Sequence, residues 1–112
     1  MAEIAIVLDP SRLANPVADL RYALAGAIER ACGQLVRDDA YDYDDAGRMW
    51  VFLVTHDLAP AVVAVTEALS RLEVLGNRFD GEGVELWVAE ADHQSDLSRY
   101  TRVHPRVSSP PT

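Results

Sequence analysis

The sequence predicts a single α+β domain with the element order βαββαβ. Two apolar runs, Glu3–Leu8 (EIAIVL) and Met49–Val54 (MWVFLV), are rich in branched and aromatic residues and too short for helices. Two longer stretches, after Pro16 and after Pro60, repeat apolar residues at spacings of three and four. Segments 35–43 and 84–91 mix or alternate apolar and charged residues, as half-exposed strands do.

Each element has its own signals. The first run is apolar on both faces and stops at Asp9-Pro10, so it reads as a buried strand. Asn15-Pro16 supplies an N-cap followed by proline at the first helical position. Val17, Leu20, Leu24, Ala27, Ile28 and Ala31 then form one stripe, and Gly33 closes the helix. Residues 35–43 (LVRDDAYDY) carry acids suited to an edge strand, where charge discourages pairing with other chains. Asp44-Asp45-Ala46-Gly47 turns the chain into the second apolar strand. Thr55 or Asp57 caps the second helix, whose stripe is Val62, Val65, Leu69, Leu72 and Leu75, ending at Gly76-Asn77. Val84 to Ala91 (VELWVAEA) alternates, with Glu85 and Trp87 on one face.

This is the element string of the ferredoxin-like plan: a four-stranded antiparallel sheet with two helices on one face. In that plan the first and third strands are central and the second and fourth are edges. The fully apolar strands here are the first and third, and the charges fall on the second and fourth. The domain is expected over residues 1–91. Residues 92–112 change character, carry three arginines and two histidines, and read as a C-terminal tail, partly ordered at most.

Composition bounds the function. The 112 residues are 49% apolar and carry a net charge of −8, with no lysine. Residues 1–90 hold sixteen acids and seven arginines, a field that repels phosphate backbones. No run approaches a membrane span, and the N-terminal segment lacks the basic start of a signal peptide. One cysteine, Cys32, forms no internal disulfide. A cytoplasmic protein is expected, with no nucleic-acid or membrane partner and no cofactor.

Two features attract functional readings. The helices cover one sheet face, yet the third strand is apolar on both. Met49, Val51 and Leu53, or else Trp50, Phe52 and Val54, must face away from the helices, with Trp87 and Tyr41 or Tyr43 beside them. Such a patch is ordinarily an interface. A homodimer through this face is the first expectation; cover by the tail, or by a partner or ligand, stays open. The second feature is the acidic cluster Asp38, Asp39, Asp42, Asp44 and Asp45. A calcium-loop reading from Asp42, Asp44 and Gly47 fails at Ala46 and at Leu53, where ligands are required. No metal site is expected, since His56, His93 and His104 lack ligand spacing with one another or with Cys32.

Tyr41-Asp42-Tyr43, Met49-Trp50-Val51-Phe52-Leu53, Ala61 to Leu72 and Val84-Glu85-Leu86 together resemble small acidic bacterial proteins of ferredoxin-like fold. Several of these serve as immunity proteins or inhibitors beside polymorphic toxins. The resemblance covers residues 1–91 and implies a binding role through an acidic surface, with no catalytic residues. The arginine-bearing tail departs from it.

The expected function is therefore a non-enzymatic interaction module, such as an immunity protein or inhibitor. In it, Asp38, Asp39, Asp42, Asp44 and Asp45 steer a basic partner, and Trp50 or Trp87 is the aromatic anchor. Two alternatives stay open. One is a dimeric regulatory domain holding a ligand between its sheets; the other is a small cofactor-free dimeric enzyme using His56 at a cleft.

Overall fold

A computed structural model describes residues 1–81, 83–91 and 96–104. Strands β1 (Ala2–Leu8), β2 (Arg37–Tyr43), β3 (Met49–Thr55), β6 (Val84–Ala89) and β7 (Thr101–His104) form one sheet. Helices α1 (Leu20–Cys32) and α2 (Leu58–Arg71) pack on it, and β4 (Glu73–Val74) and β5 (Asn77–Arg78) make a small separate hairpin. The sheet order is β2-β3-β1-β6-β7, and every pairing is antiparallel.

The sheet thus has five strands rather than four. Residues 101–104, expected in the tail, pair with β6 and make it an interior strand rather than an edge. Residues 92–95 and 105–112 of that expected tail, with His93 and Arg106, lie outside the described residues.

Side-chain alternation sorts the sheet into two faces. Ile4, Ile6, Leu8, Met49, Val51, Leu53, Val84 and Leu86 meet both helices in the main core. Burying each large aliphatic there contributes about 1.5–3 kcal/mol. The opposite residues, Ala5, Val7, Trp50, Phe52 and Ala89, form a second core with Tyr100.

Two expected helix boundaries are wrong. Helix α1 starts at Leu20, four residues after Pro16. The Asn15 side chain caps no helix; its Nδ2 donates to the Leu75 carbonyl at 2.9 Å. The buried Asn77 clasps the Asn15 backbone, accepting from its N–H at 2.7 Å and donating to its carbonyl at 2.8 Å. That long-range bond has no signature in the local pattern. Val17, ahead of the helix, is exposed; Ala31, in its last turn, is exposed as well, and Ala25 and Cys32 complete the buried stripe. Gly33 does end the helix, at φ +63°.

Helix α2 stops at Arg71, and the chain turns back through the β4–β5 hairpin. Its two-residue loop is Leu75-Gly76, with φ of +51° and +82°. Positive φ at both positions suits Asn-Gly, and for a leucine it costs about 1–2 kcal/mol. Leu75 is 46% exposed, so its side chain recovers little of that. Leu75→Asn is expected to raise unfolding stability by about 0.5–1 kcal/mol in urea denaturation. An unchanged or lower midpoint would show that the leucine is held by packing.

Candidate functional site

The face away from the helices is filled. Tyr100 is 4% exposed and lies over Trp50 and Phe52, with ring centroids 5.8 and 5.7 Å apart. The 3₁₀ turn Leu97–Arg99 carries the chain onto this face, and Leu97 packs beside Tyr100. Trp50, one of the two expected aromatic anchors, is 3% exposed and is a core residue. Trp87 is half-buried, 5.7 Å from Trp50.

A polar chain holds the rim of this face. Asp44 Oδ2 accepts from Trp50 Nε1 at 2.9 Å and from Arg48 Nε at 2.8 Å. Its Oδ1 accepts from the backbone N–H groups of Ala46 and Arg48 at 3.0 and 2.9 Å, closing the β2–β3 turn. Arg48 reaches on to Glu85 at 3.2 Å; Glu85 also accepts from Trp87 Nε1 at 2.8 Å and meets Arg102 at 3.5 Å. Burial pushes the Asp44 carboxyl up, but the hydrogen bonds from Trp50 and Arg48, with the Arg48 charge, outweigh it and hold it below its ordinary value. Asp44 is therefore a structural carboxylate inside the turn rather than a steering charge.

The remaining aspartates lie where a partner can reach them. Asp38, Asp39 and Asp42 are exposed on β2, an edge of the sheet, and Asp45 is exposed in the turn. A register shift between Asp38 and Ala40 marks a bulge at Asp39. Asp38 pairs across from Leu53, on the helix side, and Asp42 from Trp50, on the other side, so the charges straddle the edge.

The sequence pattern sets Tyr41 or Tyr43 beside the open face. Both Tyr41 and Tyr43 lie instead across from Val51 and Met49, on the helix side of the same edge. There they meet Tyr22 from the first turn of α1, with Tyr22–Tyr41 and Tyr41–Tyr43 centroids 5.9 and 6.4 Å apart and rings nearly perpendicular. The Arg21 guanidinium lies 4.2 Å from the Tyr41 ring centre and 4.7 Å from that of Tyr22. Its Nε is buried with no hydrogen-bond partner. Arg21 and Tyr22 escaped the sequence reading because nothing in the local pattern relates position 22 to position 41.

Other candidate chemistry does not assemble. His56 is exposed beside a 230 Å³ pocket whose lining, Met1, Gln34, Leu35, Arg37, Val54 and Thr55, includes no acid. Cys32 is buried, and burial pushes its thiol up, away from nucleophilic use. Among the described residues, no three His, Cys, Asp or Glu side chains converge as a metal site. No helix there is long and apolar enough to cross a membrane. No protein-family model, curated protein or solved structure matches the chain.

Proposed function

We propose that this protein is a non-enzymatic interaction module that binds a basic protein partner through the acidic outer edge of β2. The observation that carries this reading is the distribution of the chain's own arginines. Arg12, Arg48, Arg78 and Arg99 contact Asp9, Asp44, Asp80 and Asp96 respectively. Asp38, Asp42 and Asp45 enter no ion pair among the described residues. With Arg37 as the one cation of β2 against Asp38, Asp39 and Asp42, this edge carries an acidic excess suited to steering a cationic partner.

The strand order supports a ferredoxin-like ancestry for the sheet. Without β7, the series β2-β3-β1-β6 is the order that plan requires, with two crossover helices on one face. Together with the resemblance to toxin-immunity proteins, this favours an inhibitor-like role in the cytoplasm, with a basic toxin as the partner. A sensor or small enzyme working on the open face would need a cavity where Trp50, Phe52 and Tyr100 now pack. The same packing removes the apolar motive for a homodimer through that face, so a monomer docking on its partner is the simpler reading.

The partner recovered from the native host tests this, with the product of an adjacent toxin-like reading frame the first to try. Replacing Asp38, Asp39 and Asp42 together by asparagine is expected to slow association by about tenfold or more at low salt and to flatten its salt dependence. A triple variant that associates like the parent would overturn the reading.

A further inference from the structure

Arg37 opens β2 across from Val54, so its side chain leaves the sheet on the face away from the helices, whereas Asp38 leaves on the helix side. There Arg37, Gln34 and His56 line the 230 Å³ pocket together with Leu35 and Val54. Gln34 and Leu35 come from the turn after α1, and His56 from the two-residue link between β3 and α2. Among the described residues, no ion pair or hydrogen bond engages the side chains of Arg37, Gln34 or His56. The donors of this pocket are therefore not spent within the chain.

The acids of an otherwise acidic chain stay out of the lining. Asp42 lies across from Trp50, four strand positions from Val54. That is about 13 Å along the strand, beyond the screening length of about 8 Å at physiological salt. Glu3 is across from Val54 on β1, but it is 1% exposed and outside the lining. Asp57, which follows His56, is exposed to water and also outside it.

The size and the walls select the ligand. Pockets for drug-sized molecules measure about 300–1,000 Å³, so this one suits a smaller fragment. A guanidinium meets a carboxylate in two parallel hydrogen bonds. Leu35 and Val54 suit an aliphatic stem; the oxygens of a bare phosphate would lie unpaired against them.

From this geometry we infer that the pocket is a binding site for a short aliphatic carboxylate, either a free acid or a glutamate side chain of a protein partner. Arg37 holds the two oxygens, Gln34 and His56 donate beside it, and Leu35 and Val54 pack on the stem. The site is separate from the acidic outer edge of β2 and does not depend on a cationic partner.

The test titrates the full chain with butyrate and, separately, with glutamate blocked at both backbone ends, using butyramide and inorganic phosphate as comparisons. The Arg37 Nε–H and His56 ring signals are followed by NMR. Saturable shifts in the millimolar range are expected with the acids, none with butyramide, and weaker ones with phosphate. Arg37→Gln is expected to weaken binding about tenfold or more, and Arg37→Lys, which keeps the charge without the fork, about threefold to fivefold. His56→Ala is expected to weaken it about threefold. Arg30→Gln removes the same charge from an exposed position on α1 and is expected to leave binding unchanged. Arg37 and His56 are exposed, so these variants should keep the parent's unfolding midpoint. Tighter binding of butyrate identifies a free acid as the occupant, and tighter binding of blocked glutamate a partner's side chain. The site is overturned if no signal saturates, if butyramide binds as well as butyrate, or if Arg30→Gln weakens binding as much as Arg37→Gln. Phosphate that binds more tightly than both acids overturns the carboxylate assignment.

Discussion

Tyr100→Ala is expected to destabilise the protein by about 3–4 kcal/mol, the scale of removing a buried aromatic ring. The ring touches Trp50 edge-on and tilts against Phe52, and Leu97 packs beside it. Without it, two aromatic side chains that are now almost wholly buried face water on an open sheet. Urea denaturation should show a lowered midpoint, and Trp50 emission should shift to the red in the folded variant. Dye binding and concentration-dependent self-association should rise, because an uncovered apolar sheet face seeks a partner. Tyr100→Phe keeps the ring and is expected to cost less. A Tyr100→Ala midpoint equal to that of the parent would mean that residues 96–104 do not hold this face closed.

Asp44→Ala is the second large effect, at about 2–3 kcal/mol. One carboxylate there satisfies Trp50 Nε1, Arg48 Nε and two backbone N–H groups of the turn. Removing it strands a buried indole donor and frees Arg48 from one of its two acids. The pH dependence follows from the direction of the shift. Asp44 titrates below its ordinary value of 3.8 in the fold, so its contribution is complete above that value and is lost as pH falls through the lower folded one. The stability gap between parent and Asp44→Ala should therefore be constant from pH 7 to about 5 and narrow in the acid limb. A gap of the same size at pH 3 as at pH 7 would show that turn geometry, not the ionised carboxylate, supplies the stabilisation.

Much of the fold was legible because it depends on local periodicity. Six of the nine elements, the helix-closing Gly33 and the edge position of β2 follow from apolar spacing and charge placement. What escaped was joined by contacts distant along the chain. The α1 start moved because Asn77, sixty-two positions on from Asn15, takes up the backbone of the intended cap. Leu75 looked like the last residue of a helix stripe, since its left-handed φ is imposed by hairpin pairing and not by its identity.

The candidate surface divides in the same way. Its charges were visible as a run of aspartates, since composition alone sets the sign of a field. Which aspartates face outward was not visible: Asp44 and Asp42 are two residues apart, and only the fold turns one into the Trp50–Arg48 network.

The amino-acid order by itself determined the α+β class, both helices, the four longer strands, the acidic edge and the problem of an apolar strand beneath an uncovered face. Only the tertiary structure decided the cover, when residues 96–104 added a strand to β6 and set Tyr100 on Trp50 and Phe52. A four-residue strand carries too short a pattern to announce itself. It forms because the sheet edge it joins and the apolar face it closes already exist.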